Sequence, residues 1–196
     1  MMLEVPGLKC ICDYISAAEQ CQLLDKIDRQ VWSTELKRRV QHYGYKYNYQ
    51  KRSIESSLYL GDIPDWLLSI AKQLYRENLT ETLPDQLIIN EYEPGQGIAA
   101  HIDCVPCFGE TIISLSLGSV CVMDFTHSQT KQKIPILLLP GSLLILQKQA
   151  RSEWQHSIAP RKKDKYEGKE FVRTRRISLT FRKVLGITDR TQKQLL

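Results

Sequence analysis

The sequence predicts an α+β fold, with N-terminal helices leading into a β-sandwich or jelly-roll core. Three observations carry this prediction. Apolar residues recur at helical spacing early in the chain. The period changes to two at Leu87. From there on, a series of short strands with Gly/Pro turns follows.

The first helix is announced by Ser16-Ala17-Ala18-Glu19, which has the form of a capping box. Leu23, Leu24, Ile27 and Val31 follow at helical spacing. A second helix starts near Pro64, with Trp66, Leu67, Ile70, Ala71 and Leu74 on one face. Residues 87–92 read as a strand that ends at the turn Pro94-Gly95-Gln96-Gly97. In 111–117, Ile113, Leu115 and Leu117 alternate with Ser114 and Ser116. Further strands are expected at 120–125 and 134–139, and Pro140-Gly141-Ser142 turns the chain into 143–146. Residues 171–184 read as one last long strand.

A chain of 196 residues suits one domain with a substantial core. The reading is a single domain over 1–196, with its core at about 87–184. Apolar residues make up 42% and charged residues 25%, which excludes fibrous and low-complexity classes. The longest apolar stretch, 134–146, is interrupted by Pro135, Pro140, Gly141 and Ser142, so no membrane partner is expected. Residues 1–14 lack a basic region followed by an apolar run. A cytoplasmic location is therefore expected, with the nucleus as the alternative, and the chain is expected to be a monomer. In such a reducing compartment the six cysteines are read as free thiols. Cys104 and Cys107 form a lone C-x-x-C, and Cys10 with Cys12 has the wrong spacing to complete a zinc site.

The net charge of +5 is unevenly distributed. Residues 161–183 hold ten Lys or Arg and three acids, a local excess of +7 on a body that sums to −2. Such a region suggests a polyanionic partner, the alternative being a solvated loop.

The chemistry begins at His101-Ile102-Asp103. Residues two apart in a strand point to the same face, so an imidazole and a carboxylate can reach one cation together. His156 supplies a third ligand from a later strand. Two histidines and a carboxylate on one face of an octahedron leave three open positions, the arrangement of non-haem Fe(II) oxygenases. Further on, Arg176, Ser178, Thr180 and Arg182 share one strand face, opposite Ile177, Leu179 and Phe181. Buried guanidinium groups need anionic partners, and arginine captures carboxylates in bidentate fashion. An edge strand with both arginines in water is the alternative. His42 and His127 are not expected to bind metal.

The stretch from Asn90 to Asp103 resembles the AlkB family of Fe(II)- and 2-oxoglutarate-dependent oxygenases. So do Arg176 to Arg182, matching an R-x-x-x-x-x-R signature, Ser114 to Ser119, and Met123-Asp124-Phe125. The resemblance runs from about Tyr43 to Val184, and within the family it points to the oxygenases that hydroxylate a modified wobble uridine in tRNA. It implies a double-stranded β-helix (jelly-roll) core, Fe(2+) held by His101, Asp103 and His156, and 2-oxoglutarate consumed with O2. It implies that Arg176 pairs with the far carboxylate of 2-oxoglutarate beside Tyr92 and Ser178. It also implies that Asn90 and Arg182 lie near the keto-acid end. The RNA-recognition and methyltransferase domains that accompany such oxygenases do not fit in this length.

Between Arg38 and Arg52, cations alternate with aromatics. In a strand Tyr43, Tyr45, Tyr47 and Tyr49 would line one face, as nucleic-acid binding uses. The matching AlkB region forms a lid over the target base, so residues 1–86 are read as helices and lid. Arg38, Arg39, Tyr45, Tyr47, Lys162 and Lys163 are the candidate substrate contacts, and the expected partner is tRNA or another single-stranded RNA or DNA. Two departures weaken a DNA-repair reading. Val105 stands where repair members carry an acid, and the stacking Trp of the bacterial prototype's lid is missing. The alternatives are a protein side chain as substrate, or a catalytically silent RNA-binding relative.

Overall fold

The computed structural model describes residues 4–48, 51 and 53–186. Among the described residues, thirteen strands and two longer helices make up an α+β architecture built on antiparallel sheets. The strands are β1 Leu8–Ile11, β2 Val40–Tyr45, β3 Tyr59–Gly61, β4 Gln86–Tyr92, β5 Ile98–His101, β6 Phe108–Gly118 and β7 Cys121–His127. They continue as β8 Lys133–Leu138, β9 Leu143–Leu146, β10 Trp154–Ile158, β11 Lys163–Tyr166, β12 Lys169–Val172 and β13 Arg176–Val184. The helices are α1 Ala17–Asp28, α2 Asp65–Arg76 and the short α3 Lys148–Ser152. None of the described helices is long and apolar enough to cross a membrane.

A seven-stranded sheet runs β1-β9-β6-β13-β4-β2-β3, and a four-stranded sheet runs β5-β10-β7-β8. The period-two segments explain how one strand serves two layers. Leu87, Ile89, Ile113, Leu115, Ile177 and Leu179 point from the large sheet to α1 and α2. From the opposite face, Tyr92, Ile112, Leu144 and Leu146 join Met123, Phe125, Trp154 and Ile158 of the small sheet in a second core. Asn90, Ser114, Ser178 and Thr180 of these strands therefore look into the space between the sheets.

Both helices start where expected. Ser16 and Glu19 complete the capping box of α1, and Pro64 precedes α2, which buries Leu67, Ile70, Ala71 and Leu74. Val31 is a correction: α1 stops at Asp28, and Val31 is 92% exposed. The single strand expected over 171–184 is another, since it divides into β12 and β13. The break falls where Arg173 turns to Asp164, and Arg175 to Glu91 and Asp28, on elements that lie apart.

The tyrosine strip also does not form. Gly44 adopts φ +74°, and a Cβ there would lie 1.9 Å from the Asp85 carbonyl oxygen, so the strand ends at Tyr45. Tyr43 then packs edge-on against Trp66 of α2, Tyr45 against Tyr59, and Tyr47 against Phe108. Tyr49 and Arg52 lie outside the described residues.

The cysteine reading needs correcting at one pair. Cys104 and Cys107 form a disulfide, their Cα atoms brought to 5.2 Å by a turn in which the Cys107 N–H donates to the Cys104 carbonyl. Cys10, Cys12, Cys21 and Cys121 are free thiols.

Candidate active site

A cavity of about 820 Å³ opens between the two sheets. Strand β5 reaches it because Gly97 lets the backbone approach: a Cβ there would sit 2.1 Å from the Ile158 carbonyl oxygen. In the register of β5 with β10, His101 stands directly opposite His156, and the ring centroids are 4.3 Å apart. Asp103 lies two residues past the end of β5, outside the strand, with Oδ1 3.7 Å from His101 Nε2. One ligand-capable atom from each of His101, Asp103 and His156 falls within 4.8 Å of the others, and among the described residues no other such cluster is found.

The protonation states suit a cation. Burial pulls the His156 pKa down to about 4, with His101 adding to the effect, so its imidazole is neutral near pH 7. Its Nδ1 is buried without a hydrogen-bond partner. Burial raises the Asp103 pKa, but the opposing charges of Arg182, His156, His101 and Arg151 hold it down at about 2. His101 Nδ1 lies 2.8 Å from the Ala99 carbonyl, which orients the ring. Two imidazoles and an ionised carboxylate form a donor set that fits Fe(2+).

Asn90, Tyr92, Arg176, Ser178 and Arg182 all line the same cavity. The pairing of β4 with β13 sets Tyr92 opposite Arg176 and Asn90 opposite Ser178. Arg176 is 2% exposed, and its Nη2 donates to Ser116 Oγ at 2.8 Å. Its Nε and Nη1 have no partner, which leaves a buried cation with two donors free for an anion. A carboxylate of 2-oxoglutarate fits that need. Arg182 lies at the metal end of the cavity, beside Asp103. Its guanidinium is bonded to the Asp103 carboxylate and stacks over Phe108 at 4.7 Å.

The candidate substrate residues divide. Arg38 and Tyr47 line the cavity, Arg38 donating to Asn90 Oδ1 at 2.8 Å. Arg39 does not: it forms a two-bond pair with Glu91 and lies over Trp32. Tyr45 is also outside the cavity lining, and Lys163 is paired with Glu170. Lys162 is exposed beside Gly95. Several cations of the +7 region are paired, some with acids elsewhere in the chain. Arg161 and Arg173 hold Asp164, Arg175 holds Asp28 and Glu91, and Lys183 holds Asp85. His42 and His127 stand outside the His101, Asp103 and His156 cluster. Sequence reasoning missed Lys37, which lines the cavity, and Arg151, which bonds the Asp103 carbonyl. Neither stands in a motif that spacing could flag.

A family model described as the 2OG-Fe(II) oxygenase superfamily matches residues 7–182. The "Alkylated DNA repair protein ALKBH8 homolog" of Arabidopsis thaliana is 36% identical over 93% of this chain, which spans 59% of that protein. The Mus musculus "tRNA (carboxymethyluridine(34)-5-O)-methyltransferase ALKBH8" is 39% identical over 84% of this chain, which spans only 26% of it. The solved structure of OsALKBH1 superposes with a TM-score of 0.70 at 18% identity, covering 93% of this chain and 99% of that one.

Proposed function

This chain belongs to the 2OG-Fe(II) oxygenase superfamily, and from that premise we propose that it oxidises a modified nucleobase in RNA, with tRNA as the substrate class. It is a 2-oxoglutarate-dependent Fe(II) dioxygenase of AlkB type. In this reading the two sheets form a double-stranded β-helix, the whole chain is one oxygenase domain, and the segment around Lys37, Arg38 and Tyr47 acts as its lid. The mouse relative is by name a tRNA-modifying protein, which supports an RNA substrate.

His101, Asp103 and His156 hold the iron, and Arg176, beside Tyr92 and Ser178, holds the far carboxylate of 2-oxoglutarate. When bound, iron and 2-oxoglutarate supply oxidation of a substrate C–H bond by O2, coupled to conversion of 2-oxoglutarate to succinate and carbon dioxide. The chain's own work is positioning. Ser116 orients one arm of Arg176, and Arg182 fixes the Asp103 carboxylate. Asn90 holds Arg38 at the cavity wall. Ile88, Ile112, Met123, Leu144 and Leu146 line the cavity and keep water from its floor.

One observation carries the substrate reading: with Arg176 assigned to 2-oxoglutarate and Arg182 bonded to Asp103, the charged side chains left on the described cavity lining are Lys37 and Arg38. A positively charged alkylated base would meet two cations, and the one carboxylate on the lining, Asp103, is already engaged. An uncharged modified base flanked by phosphates meets a favourable field. Val105, at the place where repair relatives carry an acid, is 47% exposed and outside the cavity lining.

The test is succinate formation with tRNA, alkylated single-stranded DNA or protein extract as stimulant. Stimulation by tRNA above the other two is expected. Stimulation by protein extract alone would transfer the substrate to a protein side chain. Absence of iron-dependent 2-oxoglutarate turnover would leave only a silent binding module.

A further inference from the structure

Arg151 is 3% exposed, yet among the described residues no carboxylate forms an ion pair with it. Its guanidinium is directed at main-chain oxygens instead. Nη1 donates to Asp103 O at 2.9 Å, Nη2 to Cys104 O at 3.2 Å and Phe108 O at 3.3 Å, and Nε to Gly109 O at 3.2 Å. These acceptors lie at the two ends of a single segment, 103–109, a loop that opens with Asp103 and runs into the first two residues of β6. A buried cation on carbonyl oxygens is costly to fold, so the arrangement calls for a reason. Only a planar fork with five donors spans four carbonyls; an ammonium has three donors on one point.

We propose that Arg151 is a positioning residue for the iron centre, shaping the 103–109 loop so that the Asp103 carboxylate faces His101 and His156 before any metal arrives. The inference rests on the reading of those three residues as ligands. Arg182 and Arg151 act on different parts of Asp103, the first gripping its side chain and the second its main chain. Placement in the chain adds a second link. Arg151 on α3 and His156 on β10 are five residues apart, so one segment seats one ligand directly and another through the loop. That segment is itself tied down, the Ala150 N–H donating to Pro6 O at 2.8 Å and the Gln147 N–H to Gly7 O at 3.0 Å.

The experiment is anaerobic titration with Co(II), read from its d–d absorption, on wild type, Arg151→Lys, Arg151→Gln and His101→Ala. TCEP is present throughout, so that the 104–107 disulfide does not hold the loop. Loss of such an outer contact is expected to weaken Co(II) binding by about ten- to a hundredfold in both Arg151 variants. Half-saturation by 2-oxoglutarate at saturating Fe(II) should stay unchanged in them, a split that general misfolding would not produce. Folded Arg151→Gln binding Co(II) as wild type does, while His101→Ala loses it, overturns this proposal and leaves the ligands standing. Undiminished binding by His101→Ala overturns the ligand reading, and this proposal with it. Should the Arg151 variants not fold, amide exchange in metal-free wild type decides. The Cys107 and Phe108 amides, which donate to Cys104 O, should exchange at least about tenfold slower than in an unstructured peptide. Free exchange at both would show that the loop is not preformed.

Discussion

Arg182 and Asp103 are joined by three hydrogen bonds, from Nε to Oδ2 at 3.3 Å and from Nη2 to Oδ1 and Oδ2 at 3.2 Å each. The arginine at the end of the R-x-x-x-x-x-R signature therefore supports a metal ligand in this structure. Arg182→Gln is expected to raise the Fe(II) half-saturation about ten- to a hundredfold, as outer contacts to ligands do. The requirement for 2-oxoglutarate at saturating iron should move less. A change confined to 2-oxoglutarate would show that Arg182 serves the cosubstrate rather than the metal ligand.

Arg176 should behave in the opposite way. Its two unpartnered donors await a carboxylate, and a charge-assisted bond of this kind is worth roughly 1.5–3 kcal/mol, or about ten- to a hundredfold in affinity. Arg176→Ala is expected to raise the 2-oxoglutarate half-saturation by that factor and to leave Co(II) binding intact. An unchanged half-saturation would remove Arg176 from the cosubstrate site.

His101→Ala, Asp103→Ala and His156→Ala should each abolish turnover and metal uptake, because one missing ligand opens the facial set. His127→Ala serves as the control. That ring lies 3.4 Å from Glu153 and accepts the Thr130 N–H, away from the cluster, so iron occupancy measured by metal analysis should match wild type.

Acid sensitivity follows from His42. Burial, with Lys46 adding to it, lowers its pKa to about 4 from an ordinary 6.5. As pH falls through 6.5 the unfolded chain takes up a proton that the folded protein does not accept until about 4. The stability His42 contributes is thus complete above pH 6.5 and is lost progressively down to pH 4. Metal-free protein in urea should show this decline. His42→Phe should flatten it by about one proton, ~1.4 kcal/mol per pH unit, leaving the share due to His156. An unaltered slope would show that His42 titrates normally.

Much of this site could be read from residue order because it is built from strands. A period of two assigns faces, which is why Arg176, Ser178, Thr180 and Arg182 could be placed together and Ile177, Leu179 and Phe181 set against the helices. His101 stood out through its spacing from Asp103, although Asp103 lies past the end of β5, and His156 through the family resemblance rather than through periodicity. The misreadings arise where side chains are claimed by partners distant in sequence. Arg39 belongs to Glu91 and Arg175 to Asp28 and Glu91, contacts that no local pattern records. Gly44 shows the same limit in the backbone, since its left-handed turn beside Asp85 redirected three tyrosines that alternation would have aligned. Arg151 was invisible because its partners are carbonyl oxygens, which every residue carries.

Nucleic-acid binding should depend on fewer cations than the +7 region suggests. Lys162, Lys165 and Lys169 are exposed, and among the described residues none of the three forms an ion pair, whereas Lys163 is held by Glu170. Each phosphate neutralised on a single strand adds about −0.7 to the slope of log affinity against log salt. Reversing those three lysines to Glu should therefore flatten the slope for tRNA by about 2, similarly across sequences. Tyr47→Ala should leave that slope alone, since stacking is uncharged. Tyr47 lines the cavity against Phe108, so its loss should reduce turnover on tRNA by the roughly 1–3 kcal/mol that one stacked base is worth. Tyr45→Ala, whose ring packs on Tyr59 outside the cavity lining, should lower thermal stability with turnover preserved. Filter binding of tRNA between low and moderate salt decides the matter. A triple reversal that binds with the wild-type slope would show that the hairpin of β11 and β12 does not touch the phosphates, leaving Lys37 and Arg38 at the cavity as the cations placed to meet them.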